Sequence, residues 1–281
     1  MNQNDLKYND VCFKASHNSY DRDESLAEQL TFHSADPSNA GCSGIELDIV
    51  QKSDAWQWSV SHGGSYSSDP DKQFSAYLKQ VKSWMDQNPG HRVIEVHIDI
   101  KNTPMSNEQF PQQIDNYIQQ VFTDRNRVFQ PNALIGNYDD LVQGAQATSW
   151  PTLGELEGKI IFCFTGNETR KAIYARTDPK ARLCFSDIYQ ETNPPQYPDF
   201  NSGTRVFLNY HLYQKYYDEW FPQLQRIAKE QGFISRGYVL NSQDIWTKAQ
   251  NAALNIMATD KVSGHSWAQN GDYPFRKLNI V

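Results

Sequence analysis

Eight short apolar runs, bounded by turn residues and mostly separated by stretches of helical periodicity, constrain this chain more than any other feature. They lie at residues 11–15, 44–50, 93–100, 159–164, 183–188, 205–209, 233–240 and 254–258. Runs of this length, rich in Val, Ile, Leu and Phe, read as strands. The clearest intervening helix sets Phe74, Tyr77, Leu78, Val81, Trp84 and Met85 at i, i+3, i+4 and i+7 spacing and stops at Pro89-Gly90. Further helices are expected over 109–122 and over 216–231 ahead of Gly232, with a short one near 153–156. Strand–helix alternation repeated eight times predicts an α/β fold, a single (β/α)8 TIM-type barrel over residues 1–281. In such a barrel the chemistry sits at the C-terminal ends of the strands. The least regular part is 181–199, with its Asn-Pro-Pro turn.

The second run, Gly44-Ile45-Glu46-Leu47-Asp48-Ile49-Val50, carries the sharpest chemical signal. Period-2 alternation puts Ile45, Leu47 and Ile49 on one face and Glu46 with Asp48 on the other. Taken alone, the two acids suit the wet face of an edge strand. A strand this apolar is usually buried on both faces, where paired carboxylates require a cation or strong donors. The neighbours favour the second reading. Ser16-His17-Asn18-Ser19-Tyr20 ends the first run, and Ser61-His62-Gly63-Gly64 follows a hairpin-like excursion at 56–61.

The third run alternates so that Glu95, His97, Asp99 and Lys101 share a face. Asp99 and Lys101 reach the mouth, whereas Glu95 and His97 sit deeper as a buried polar pair. Arg236 and Tyr238 share a face near the end of the seventh run, and the eighth closes at Thr259-Asp260. The mouth thus gathers two histidines, three carboxylates, an asparagine, a lysine and an arginine. Oxygen ligands without cysteine suit a hard cation, calcium or magnesium. Histidines not needed as ligands are free for proton transfer. A cation with Lys and Arg around one point supplies the positive field that phosphoryl transfer requires.

Composition narrows the alternatives. A net charge of -7 argues against a nucleic-acid surface and against polybasic attachment to anionic lipid. No apolar run approaches the ~20 residues of a membrane span. The N-terminus, Met1-Asn2-Gln3-Asn4-Asp5, has neither the basic nor the apolar region of a signal peptide. The location is therefore open, with secretion after loss of a leader favoured over the cytoplasm. Cys12, Cys42, Cys163 and Cys184 form no C-x-x-C pair, and Cys163 and Cys184 read as core residues. Pairing of Cys12 with Cys42 stays open. The sequon Asn167-Glu168-Thr169 matters only in a eukaryotic secretory setting.

In order along the chain, H-N-S-Y, E-L-D, S-H-G and an acid-x-Lys strand resemble calcium-dependent phosphatidylinositol-specific phospholipase C, of the PLC-like phosphodiesterase superfamily. The segment Val81-Lys82-Ser83-Trp84-Met85-Asp86-Gln87-Asn88-Pro89-Gly90-His91 is similar to the family's helix and N-P-G-H turn. Trp150-Pro151-Thr152-Leu153 and Ala258-Thr259-Asp260 resemble two further family segments. The resemblance implies that His17 and His62 are the catalytic pair and that Asn18, Glu46, Asp48 and Asp99 hold calcium, with magnesium as the alternative. Where the family usually has Glu, this chain has Asp99, an arm shorter by one methylene. Asp-x-Lys is also the pattern of the related sphingomyelinase D and glycerophosphodiester phosphodiesterase barrels. Arg236 and Tyr238 resemble the family's headgroup contact, although Arg236 suits a structural ion pair equally well. Lys101 either stabilises phosphate charge or neutralises Asp99.

The expected activity is cleavage of a phosphatidylinositol-type phospholipid through a cyclic inositol phosphate. Glu46 or His17 would accept the proton of the 2-hydroxyl, and His62 would protonate the leaving glycerol oxygen. Transient contact with a lipid surface follows from such a substrate. The rivals are a phosphodiesterase for glycerophosphodiesters, lysophospholipids or sphingomyelin, and an inactive lipid- or inositol-phosphate-binding module. A metal-dependent glycosidase-like barrel is disfavoured, because Glu46 and Asp48 are too close to flank a sugar bond. His33, His91, His211 and His265 read as structural. Trp56, Trp58 and the segment 216–221 read as core or rim packing, with membrane contact the alternative.

Overall fold

All eight runs form strands, and the strands close on themselves. The computed structural model describes residues 2–32, 40–102, 104–147, 150–190, 194–270 and 274–281. In chain order the strands are β1 (Val11–Ser16), β2 (Gly44–Gln51), β3 (Trp58–Val60), β4 (Ile94–Ile100), β5 (Ile160–Gly166), β6 (Phe185–Gln190), β7 (Phe207–His211), β8 (Ile234–Tyr238), β9 (Ile256–Thr259) and β10 (Phe275–Lys277). The order β1-β9-β8-β7-β6-β5-β4-β2 is parallel throughout, and β2 returns to β1 to complete the ring. Outside the ring, β3 and β10 pair antiparallel with β2 and β1. The excursion expected at 56–61 is thus a β-hairpin. At the closing seam Ala15 faces Gly44, where an added Cβ would lie 2.8 Å from the Ala15 Cβ. Glycine lets the two backbones approach there.

Among the described residues, eight α-helices surround the ring: α1 (Leu26–Leu30), α2 (Phe74–Gln87), α3 (Phe110–Gln119), α4 (Pro131–Ile135), α5 (Leu141–Ala147), α6 (Glu168–Arg176), α7 (Tyr217–Arg226) and α8 (Gln243–Asn251). Alternation along the strands sorts the side chains. Ile45, Leu47 and Ile49 of β2 share one apolar cluster with Val96 and Ile98 of β4 and with Phe74, Leu78 and Val81 of α2. Burying each such side chain contributes about 1.5–3 kcal/mol. The opposite faces of these strands carry Glu46, Asp48, Glu95, His97 and Asp99 into the lumen, so every residue of β2 is buried although two are acids.

Local structure departs from the periodicity in two places. Residues 153–156 form turns rather than a helix. Thr152 and Glu155 exchange the reciprocal bonds of a capping box, but the turn ends at Gly158, whose φ is 72°. The stretch expected at 216–231 begins as α7 and loosens into one π-type turn, Ile227–Gln231, ahead of Gly232 at φ 64°. Trp58 and Trp220 are buried, so core packing accounts for both. All four cysteines are buried free thiols, Cys12 and Cys42 included. His33 and the asparagine of the Asn-Pro-Pro turn lie outside the described residues. Among the described residues no helix is long and apolar enough to cross a membrane.

Candidate active site

The C-terminal ends of the strands open into a pocket of about 560 Å³ lined by His17, Asn18, Glu46, His62, Asp99, Lys101 and Tyr238, among others. Strand register brings the acids together. Asp48 on β2 is level with Asp99 on β4, and Asp99 with Thr165 on β5. Carboxylate oxygens of Glu46, Asp48 and Asp99 come within 4.8 Å of one another.

Each of the three acids commits one oxygen to the protein. Glu46 Oε2 lies 3.0 Å from the Arg236 guanidinium and 3.7 Å from His17 Nε2, and it accepts the Asn18 N–H at 3.1 Å. Asp48 Oδ2 accepts from His62 Nδ1 at 2.9 Å and from Lys101 Nζ at 3.1 Å. Asp99 Oδ2 accepts from the same Nζ at 2.6 Å. Asp48 Oδ1 and Asp99 Oδ1 remain buried with no hydrogen-bond partner. Two bare carboxylate oxygens in a buried cluster are costly, and a hard divalent cation with oxygen preference satisfies them. The donor set therefore fits calcium or magnesium, with Glu46, Asp48 and Asp99 as its core. Asn18 lines the same pocket, with its side-chain Oδ1 accepting from the Tyr20 hydroxyl at 3.3 Å. It adopts φ 48° and ψ 54°, a left-handed conformation that asparagine tolerates, and this turn supplies the N–H that meets Glu46.

The electrostatics follow from the crowding. Burial pushes the Glu46 carboxyl up, but Arg236, His17, His97 and the Asn18 N–H together pull it down to about 2. Burial raises the Asp99 carboxyl; Lys101 opposes the rise, and the Asp48 and Glu46 charges add to it. Burial works against the Lys101 ammonium, yet Asp99 and Asp48 hold it firmly protonated.

Both histidines expected from the sequence are present, each paired with an aspartate through Nδ1. His17 donates to Asp260 Oδ1 at 2.8 Å, and His62 donates to Asp48 Oδ2. A carboxylate on Nδ1 fixes the tautomer and leaves Nε2 as the nitrogen that exchanges protons. His62 stands at the lip with its side chain 72% exposed, whereas that of His17 is 16% exposed. The His17 ring also stacks with Tyr238 at 5.4 Å.

Arg236 lies beneath the pocket rather than on its lining. It is 1% exposed and its guanidinium forms an ion pair with Glu46. Tyr238 does line the pocket, and its hydroxyl shares a 2.5 Å hydrogen bond with that of Tyr189. Glu95 and His97 form the expected buried pair at 2.7 Å, extended by Asp187 at 3.1 Å and then by Lys171. His91 is buried, with Nδ1 on the Arg92 carbonyl; His211 stacks on Tyr238 and Tyr213, and His265 packs near Trp267. Asn167 caps α6 by accepting the Arg170 N–H, so the sequon asparagine serves the helix start.

Several site residues were not assigned roles from sequence. Asp260 was visible only as the end of a strand. Asn209, Thr165 and Tyr189 carried no motif, although period-2 alternation on β7 could have flagged Asn209 as lumen-facing.

No curated protein matches the chain by sequence. Among solved structures, a calcium-dependent phosphoinositol-specific phospholipase C from a Gram-negative Pseudomonas species superposes with a TM-score of 0.73 at 19% identity, covering 98% of this chain and 96% of that one. A Ca2+-dependent phosphatidylinositol-specific phospholipase C from Streptomyces antibioticus gives 0.73 at 16% identity, covering 91% and 95%. A glycerophosphodiester phosphodiesterase from Parabacteroides distasonis gives 0.54 at 14% identity, covering 93% and 95%. These likenesses establish the barrel. The sequence profile described as "Phosphoinositide phospholipase C, Ca2+-dependent" matches residues 66–206, half of the chain. That span includes Asp99 and Lys101, while both histidines, Glu46 and Asp48 lie outside it. By this match over half of its length, the chain belongs to the Ca2+-dependent phosphoinositide phospholipase C family.

Proposed function

We propose that the protein cleaves phosphatidylinositol-type phospholipids between glycerol and phosphate, in a calcium-dependent reaction that passes through a cyclic inositol phosphate. The observation that carries this reading is the pairing of two His–Asp couples with a three-carboxylate cluster in one pocket. Calcium bound by Glu46, Asp48 and Asp99, with Asn18, would acidify the inositol 2-hydroxyl and offset phosphate charge.

The chain's own groups divide the remaining work. The 2-hydroxyl oxygen attacks phosphorus and forms a new P–O bond while the P–O bond to glycerol breaks. His17 Nε2 accepts the hydroxyl proton. Glu46, held at about 2 beside Arg236, is too weak a base to compete for it. His62 in its protonated form donates from Nε2 to the departing glycerol oxygen, giving diacylglycerol and the cyclic phosphate. If water then opens the ring, the two histidines exchange roles. Lys101, fixed between Asp48 and Asp99, faces the phosphate as a fixed positive charge. A phospholipid substrate brings the mouth of the barrel to a lipid surface transiently.

A second reading, hydrolysis of a glycerophosphodiester, is favoured by one feature, Asp99 in the Asp-x-Lys pattern. The test exploits the leaving group, because a general acid matters less when the leaving group is already acidic. His62→Ala should lose ~100-fold or more on phosphatidylinositol and much less on an inositol phosphodiester of nitrophenol. His17→Ala should lose similar factors on both. Equal losses on the two substrates for His62→Ala would remove its assignment as the acid.

A further inference from the structure

Arg236 is 1% exposed and lies outside the pocket lining, beneath Glu46. Its guanidinium is hydrogen-bonded at one end and ion-paired at the other. One nitrogen, Nη1, donates to Asn209 Oδ1 at 2.9 Å, and Asn209 Nδ2 donates to Thr165 Oγ1 at 3.0 Å. The other, Nη2, lies 3.0 Å from Glu46 Oε2 as an ion pair, and that oxygen also accepts the Asn18 N–H. Glu46 Oε2 is thereby engaged from two directions, by a hydrogen bond from Asn18 and by the charge of Arg236. Lys101 treats Asp48 and Asp99 in the same way, taking one oxygen of each. The three candidate ligands thus follow one pattern, with an oxygen anchored on the protein and its twin outside those contacts.

We infer that Arg236 is a positioning residue that acts through Glu46, anchoring one carboxylate oxygen so that the other is presented to the divalent cation, and that it makes no contact with the headgroup. This inference rests on the cation reading above. A guanidinium beside a ligand also repels the cation, so the sign of its effect is informative. A fixed carboxylate avoids the ordering cost that a free side chain would bear on binding. Partners that orient ligating groups typically affect metal affinity by about 10–100-fold.

Calorimetric titration with calcium chloride of the wild type, Arg236→Gln and Arg236→Lys reads this directly. The expected result is calcium binding weakened about 10–100-fold in Arg236→Gln and less in Arg236→Lys, which keeps the charge but loses the fork. At saturating calcium, KM for phosphatidylinositol should return to within about threefold of wild type, since the headgroup contacts are intact. Unchanged calcium affinity with KM raised at saturating calcium would make Arg236 a headgroup contact and overturn the inference. Tighter calcium binding would overturn it too, because repulsion would then outweigh anchoring. If circular dichroism shows Arg236→Gln unfolded, Arg236→Lys carries the comparison, with an affinity loss of about 3–10-fold expected and no loss contradicting it. A wild type that binds no calcium would contradict the cation reading itself and remove this inference with it.

Discussion

Asp260→Asn isolates what the His17 couple contributes. The partner of Asp260 on its far side is Asn241, whose orientation is settled by two contacts. Asn241 Oδ1 accepts the Asp260 N–H at 2.8 Å and the Thr259 hydroxyl at 3.0 Å, so Asn241 Nδ2 must be the group that donates to Asp260 Oδ2. An asparagine at 260 has one acceptor and one donor. Two donors flank it, Asn241 Nδ2 at 2.5 Å from Oδ2 and the Arg22 guanidinium at 3.4 Å from Oδ1; the shorter contact takes the carbonyl, which turns the amide to His17 Nδ1. The His17 ring must then accept at Nδ1 and carry its proton on Nε2, which removes the lone pair assigned to the substrate hydroxyl. The loss should be about 10²–10⁴ in kcat/KM, or roughly 3–5 kcal/mol at the transition state. Asp260→Ala removes the charge without imposing the wrong tautomer and should lose less, about 10–100-fold. The assay is turnover of phosphatidylinositol in mixed micelles at saturating calcium, with thermal unfolding to confirm the fold. Asp260→Asn within about fivefold of wild type, or more active than Asp260→Ala, would refute the tautomer argument.

Two further predictions concern stability. Gly166 has φ 81°, and a Cβ there would lie 2.1 Å from Asp99 Oδ1 and 2.5 Å from the Ile100 carbonyl oxygen. Gly166→Ala should therefore cost about 2–4 kcal/mol and also weaken calcium binding by displacing Asp99; an unchanged Tm would contradict this. Asp115 is buried against Tyr174 and Arg182. Burial raises its carboxyl to about 6 despite both partners. Because the folded value lies above the unfolded one, its contribution is fully present below about pH 4 and is lost as pH rises through about 6. Denaturation midpoints of wild type and Asp115→Asn between pH 4 and 7 should diverge by up to about 3 kcal/mol, the wild type losing ground as pH rises. Parallel curves would show that Asp115 does not titrate in this window.

The barrel was legible because its strands carry clean alternation and its clearest helices carry the 3.6-residue period. Glu46 and Asp48 stood out as acids in an apolar strand, and Asp99 and Lys101 by their phase on the next lumen strand. The helix α6 left no signal. It buries Arg170 and Lys171 beside Tyr174, so its inner face is polar and its periodicity vanishes. Asp260 was hidden for a different reason. A single acid after a short strand is common, and only the return of β9 to β1 brings it to His17, which follows β1 in the distant first part of the chain. Arg236 shows the limit of reading a face from alternation. Its phase correctly predicted the lumen, but not whether the side chain would rise to the substrate or stay beneath Glu46.

The most direct test of the account follows phosphorus by NMR as the enzyme acts on phosphatidylinositol, with calcium in one sample and excess chelator in the other. The account predicts a cyclic inositol phosphate resonance that appears first, without phosphatidic acid, only in the calcium sample. Turnover at full rate in chelator, or products that never include the cyclic phosphate, would contradict it.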